Sequence, residues 1–267
     1  MAKRIVHFLL HVPKCAGTTV ESHFQTHLGP AYRLAPRWEN PLRNFIGNRY
    51  PDLDAAGLRD VRVVSGHSLS TGMLRLFPDA EIRQSVLLRD PLGYLLSFYN
   101  YRWARFDEGW TSEPPGFETW YRGQRRNPIS RFLLNRYFDY AVPALYRLSS
   151  AARLRLLEDQ FAHFHFVGSY RLADEMIGGI SRELGIPDEV AHQNVTPRRK
   201  LSAADLPEAL IRRIEADNAL DQALFERWAD RRWSGRPEAP APRLSALDQG
   251  RYVLGDAVSG ILKKVIS

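Results

Sequence analysis

The chain contains a single cysteine, Cys15, in 267 residues. That excludes an intrachain disulfide and fits a reducing, cytoplasmic setting. Lysine is also scarce. It stands only at Lys3, Lys14, Lys200, Lys263 and Lys264, so nearly all the positive charge is arginine. No segment approaches the roughly 18 consecutive apolar residues of a membrane span. The opening MAKRIVHFLLHV imitates a signal peptide, with a basic start and an apolar run. The run is only strand-length and two histidines interrupt it, so it reads as a first strand. Repeats and a disorder-prone composition are missing too. What is present is the balance of an ordinary globular protein, 44% hydrophobic and 25% charged. The length suits one large α/β domain or two small ones. A net charge of +7 and a pI near 9.7 favour acidic partners. Nucleotides, sulfated or phosphorylated ligands, anionic glycans, nucleic acid and anionic membranes all qualify, and charge alone does not choose among them.

Apolar, β-branched runs predict strands at 4–12, 61–67, 83–91 and 164–170. Helical spacing follows three of them, from about Thr18 to His27, from Leu92 onward, and over LADEMIGGISREL. A short helix is expected over LSTGMLRLF. Residues 28–60 read as irregular with one short helix, and 107–150 as partly helical. Residues 205–233 read as one long helix, opened by an Asp205–Glu208 capping box. This frames 1–233 as a single α/β domain, 234–245 as a linker and 246–267 as a C-terminal amphipathic helix. That last helix carries Leu254, Val258, Ile261 and Val265 on one face, beside Lys263 and Lys264. It suits docking on its own domain or a partner chain, with weak membrane contact as a lesser alternative. Alternating strands and helices predict a largely parallel sheet covered on both faces. Ligands of such sheets bind at the carboxyl ends of the strands. The turns 13–19, 65–68 and 89–91 lie at such ends. If their strands are neighbours, Lys14, His67 and Arg89 converge.

The first turn, PKCAGTT, offers the N–H groups of Ala16, Gly17, Thr18 and Thr19 at a helix N-terminus. Gly17 permits close approach, Lys14 adds a point charge, and the threonines add hydroxyls. Together these make an anion cradle. The plainer reading is a strand–turn–helix joint. The Walker A pattern G-x-x-x-x-G-K-[ST] is absent. In the third turn Asp90 is a natural N-cap and Pro91 a natural first helical residue. Gly93 and Ser97 share a face opposite the Leu92–Leu95–Leu96–Tyr99 stripe. Arg89 and Ser97 on an open face suit a second phosphate. The plainer reading pairs Arg89 with an acid.

Taken in order, three motifs resemble those of sulfotransferases. PKCAGTT resembles their 5′-phosphosulfate loop, and LLRDPLGYLLSFYNY resembles their 3′-phosphate segment. VSGH resembles the Gly-His element of Golgi-type carbohydrate sulfotransferases and bacterial relatives, notably the heparan sulfate 2-O-like group. The likeness spans roughly residues 4–105 and extends weakly to FVGSYRLADEM and NVTPRRKLS. Cys15 departs from a common threonine and Gly93 from a common arginine. The resemblance implies a P-loop-like, sulfotransferase-like sheet and a donor, 3′-phosphoadenosine 5′-phosphosulfate (PAPS). The sulfuryl group would pass to a hydroxyl of a carbohydrate or other small acceptor, without metal and without nucleic acid as partner.

On that implication Lys14 and the loop N–H groups hold the leaving phosphate. Arg89 and Ser97 grip the 3′-phosphate, and Arg198 or Arg199 closes over it. His67 is the candidate base. Its rivals are His11, whose strand position suggests packing, and Glu21, which reads better on a solvated helix face. His23 and His27 have zinc spacing but no third ligand in evidence, and Cys15 reads as a small packed residue. Tyr170 or another aromatic would stack on adenine. Trp103, Trp110, Trp120 and Tyr121, with Arg102, Arg105, Arg122, Arg125, Arg126 and Arg131, offer an acceptor wall or a packed lid. Two other classes stay open: a nucleotide kinase or NTPase, which calls for Mg²⁺ and a full Walker loop, and a non-catalytic binder of anionic polymers.

Overall fold

A computed structural model describes residues 3–35, 57–138, 147–191 and 200–234. Arg198, Arg199, the linker beyond Ser234 and the C-terminal helix lie outside these residues. Six strands form one sheet: β1 Arg4–Leu10, β2 Tyr32–Leu34, β3 Val63–Gly66, β4 Ala80–Leu88, β5 Phe166–Ser169 and β6 Arg232–Trp233. Their order is β2-β3-β1-β4-β5-β6. All neighbours run parallel except β5 and β6, which are antiparallel. The α/β class and the mostly parallel sheet are as the sequence leads one to expect. The flanking helices are α1 Gly17–Leu28, α2 Pro91–Asp107, α3 Phe117–Arg122 and α4 Pro128–Phe132, which runs into a π turn over Leu133–Tyr137. Further on come α5 Ser150–Phe161, α6 Ala173–Leu184, α7 Glu208–Asp217 and α8 Ala219–Trp228.

β1 is buried from Val6 to Leu10 because β3 and β4 flank it and helices cover the sheet. A continuous apolar run suits a strand with no wet face. Its register sets Leu10 beside Gly66 on one side and Val86 on the other. The carboxyl ends of three strands thus reach nearly one level. Phe8, Phe24, Phe161, Phe164, Phe166 and Tyr137 fill the core.

Three sequence expectations are corrected. Tyr32–Leu34, read as irregular, is an edge strand parallel to β3. Three residues are too few to display a period. The long helix over 205–233 is in fact α7 and α8, broken at Asn218. The Asn218 Nδ2 donates to the Ile214 carbonyl at 2.7 Å, and its Oδ1 accepts from the Asn127 N–H at 2.7 Å. A side chain that competes for backbone partners favours a helix end. Trp233 leaves the helix altogether for β6, where it packs on Phe166 and fills the space over Gly179. The capping box joins Ser202 and Asp205, not Asp205 and Glu208, and it caps a 3₁₀ turn over Ala203–Asp205.

Candidate functional site

Because β3, β1 and β4 are adjacent, the three turns converge as expected. After β1 the chain turns through Lys14 and Ala16, both left-handed at φ 63°. L-residues with a Cβ rarely adopt this, and such strain gathers at sites. Ala16 caps α1 without any side-chain hydrogen bond. The first N–H groups of a helix have no intrahelical acceptor, so they open toward the loop. Of the donors expected here, Thr19 is the exception. Its N–H turns back to the Ala16 carbonyl at 3.1 Å and its side chain is buried, whereas Thr18 is exposed.

Lys14 makes no ion pair among the described residues. Its Nζ lies 4.2 Å from the centre of the Tyr101 ring. Burial, and then the nearby Arg89 charge, push its pKa down. Arg89 donates from Nη1 to the Lys14 carbonyl at 3.0 Å, and its guanidinium covers the Tyr170 ring at 4.1 Å. Its Nε is buried with no hydrogen-bond partner among the described residues. The reading of Arg89 as half of an ordinary ion pair finds no acid there. Ser97, half-buried on α2, stands one helical turn before Tyr101 and so on the same face.

His67 follows Gly66, whose φ of 133° admits no ordinary side chain. Its Nδ1 is 2.7 Å from the His11 carbonyl oxygen. A carbonyl only accepts, so Nδ1 carries the hydrogen and Nε2 holds the lone pair of the neutral ring. The exposed His67 ring also stacks on His11, with centroids 3.8 Å apart and planes tilted by 35°. Behind it the Glu21 carboxylate approaches His11 Nδ1 to 2.7 Å, off the line a ring hydrogen bond needs. Glu21 also accepts weakly from Ser65 Oγ at 3.4 Å, and Ser65 Oγ meets the Tyr32 hydroxyl at 2.6 Å. Glu21 is thus turned inward, not solvated as the sequence suggested. Gly17, expected to permit close approach of a ligand, also makes room within the fold. A Cβ there would lie 1.9 Å from His11 Cδ2, so its bareness admits the His11 ring. His11 is buried, as expected, but it stands just past the end of β1 and not within the strand.

Cys15 is buried, and burial above all pushes its thiol well above the usual range, which removes it as a nucleophile at neutral pH. Trp120 and Tyr121 are core residues, while Trp110 is 67% exposed beside Arg105. The expected acceptor wall is therefore divided. His23 Nε2 is 2.9 Å from Ser181 Oγ. Sequence reasoning overlooked Asn100. Buried within α2, it accepts from the N–H groups of Lys200 and Leu201 and donates to the Leu201 carbonyl. A buried amide in a helix interior is a signal, but its partner is 100 residues away. Tyr101, which carries the Lys14 cation, was likewise not singled out. No family model, curated protein or solved structure matches the chain.

Proposed function

We propose that the chain is a PAPS-dependent sulfotransferase on a P-loop-like sheet. The observation that carries this is the meeting of Lys14, in the strained turn after β1, with Arg89, from the turn after β4, with no carboxylate against either among the described residues. Two cations and the open end of a helix make an electrostatic hole shaped for an anion. In this reading Lys14 and the N–H groups of Ala16, Gly17 and Thr18 hold the 5′-phosphosulfate, and Arg89 and Ser97 hold the 3′-phosphate. The donor supplies an activated sulfuryl group. An acceptor hydroxyl attacks its sulfur, the bond from sulfur to the phosphate oxygen breaks, and the hydroxyl proton goes to His67 Nε2. Lys14 stabilises the charge left on the phosphate. The scheme calls for no metal. Asn100, one turn from Ser97, holds the chain at 200–201, and a closure of Arg198 or Arg199 over the 3′-phosphate rests on the resemblance alone.

Calorimetric titration tests the reading, with adenosine 3′,5′-bisphosphate (PAP) run beside ADP and beside ATP with Mg²⁺. Tight, metal-independent PAP binding and weak ADP binding are expected. Preference for ATP with Mg²⁺ would instead indicate a kinase, and no nucleotide binding would leave only a basic binder. Lys14→Ala should weaken PAP binding and lower turnover about 10²–10³-fold. His67→Ala should spare PAP binding and lower turnover about 10²–10⁴-fold.

A further inference from the structure

Both cations of the cradle lie on tyrosine rings. Lys14 Nζ is 4.2 Å from the centre of the Tyr101 ring, and the Arg89 guanidinium is 4.1 Å from that of Tyr170. The fold makes both meetings. β4 and β5 pair in parallel with Leu88 beside Ser169, so the residues that follow, Arg89 and Tyr170, leave the sheet side by side. Tyr101 comes from α2, which starts just after Arg89 and carries this ring one turn beyond Ser97. At 42% exposure Tyr101 is not a core-filling residue.

Two neighbouring cations that meet rings are held by acids as well. Arg105 lies 4.1 Å from the centre of the Trp110 ring and pairs with Glu108 at 3.4 Å. Lys200 lies 5.4 Å from that of Trp103 and pairs with Asp107 at 3.4 Å. Lys14 and Arg89 have the ring but no carboxylate among the described residues. The difference matters to a ligand. A carboxylate would hold the cation but cancel its charge and repel an arriving anion. An aromatic face holds the cation through the ring quadrupole, which carries no net charge. The ring takes one side of the Lys14 ammonium and leaves its other N–H donors for a ligand. Arg89 keeps its Nε, buried and without a hydrogen-bond partner among the described residues.

We propose that Tyr101 and Tyr170 are positioning residues of the cradle, which fix Lys14 and Arg89 while leaving both charges available to a phosphate or sulfate group. This role rests on the reading of the loop as an anion cradle, not on the nucleotide it takes. It gives Tyr170 a use other than stacking on adenine, since the Arg89 guanidinium already covers its ring.

Tyr170 also touches Arg171, whose Nε is 3.5 Å from its hydroxyl, so Tyr101 gives the cleaner test. One readout needs no ligand. Reductive ¹³C-methylation labels the five lysines of the full chain and keeps their charge. The Lys14 signal, identified by its loss in Lys14→Arg, should be displaced by the ring current of Tyr101. Tyr101→Leu should return it to the ordinary lysine position, and Tyr101→Phe, which keeps the ring, should hold it displaced. The other readout is titration of the unmodified chain with inorganic pyrophosphate and with PAP. Tyr101→Leu should weaken both roughly 2- to 30-fold, the scale of one cation–π contact, and Tyr101→Phe should restore the affinity. Tyr101→Glu should weaken them further, because it holds Lys14 by cancelling its charge. In Lys14→Ala, Tyr101→Leu should cost nothing more. An undisplaced Lys14 signal, unchanged or tighter binding in Tyr101→Leu, or an equal loss with and without Lys14 overturns the proposal. Pyrophosphate binding that follows the expected pattern without preference for PAP sinks the sulfotransferase reading and leaves the positioning role standing. Tight PAP binding untouched by Tyr101→Leu does the reverse.

Discussion

At position 17 a single methyl group is too much. It would lie 1.9 Å from His11 Cδ2 and 2.2 Å from Nε2. The ring cannot simply step aside, since Glu21 approaches one edge and His67 stacks on its face. Gly17→Ala should therefore destabilise the protein by about 1–3 kcal/mol, the usual cost of overpacking. Pairing it with His11→Ala should recover much of that loss, so the two changes should be strongly non-additive. Urea denaturation of the four proteins in the cycle measures this, and simple additivity would refute the contact. The same ring ties loop to base. His11 offers its carbonyl to His67 Nδ1 and its imidazole to the His67 face. The glycine was visible in the sequence as a special position. What it makes room for was not, because His11 and Gly17 meet only after the loop has turned.

Among the elements, α2 does most to build the site. Asp90 caps it by accepting from the Gly93 N–H at 2.6 Å. A Cβ at Gly93 would lie 2.6 Å from Asp90 Oδ2, so the small residue and the cap suit each other. The helix then presents Ser97 and Tyr101 toward the cradle and buries Asn100 against the returning chain. Asn100→Ala would leave the Lys200 and Leu201 N–H groups without their acceptor. A loss of about 1–3 kcal/mol is expected. In hydrogen exchange, protection should fall most at 200–202 and little in β1. Uniform loss across the sheet would argue against a local clamp. The cap was readable from Asp-Pro alone, since capping is set by neighbours in sequence. The clamp was not, since it joins residues far apart in the chain.

At the scale of the whole molecule, stability should depend on pH through a buried cluster. His7 is wholly buried on β1, beside Glu183 of α6 at 3.3 Å, and His165 lies 3.2 Å from the same carboxylate. Burial pushes the pKa of both histidines down. Burial alone would raise Glu183, but His7, His165 and Arg83 outweigh it and hold it low. Arg83, at 2.7 Å, is the partner charged at every pH. A histidine whose folded pKa is depressed takes up its proton sooner in the unfolded chain. Stability should therefore fall as the pH drops through about 6.5 and below. Asp221 acts the opposite way. Its pKa, raised by burial to about 6, lets the folded chain bind the proton first between about 4 and 6. The difference between the protein and His165→Gln isolates the histidine. The variant should lose less stability between pH 7.5 and 5.5 in urea titrations, and parallel curves would dismiss the cluster as a titrating element. Among the described residues no helix is long and apolar enough to cross a membrane.

By itself the sequence determined the α/β class, the main strands and their following helices, and the three turns at which a ligand would be met. These follow from local patterns: apolar runs of strand length, helical spacing, and glycine, proline and capping residues at the ends. The tertiary structure alone decided the strand order that brings Lys14, His67 and Arg89 to one edge. It also decided the break of the last long helix at Asn218, the inward turn of Glu21 and the meeting of Lys14 with Tyr101 and of Arg89 with Tyr170. Each of these depends on partners distant along the chain, and a side chain's neighbours across the fold leave no period in its own stretch of sequence.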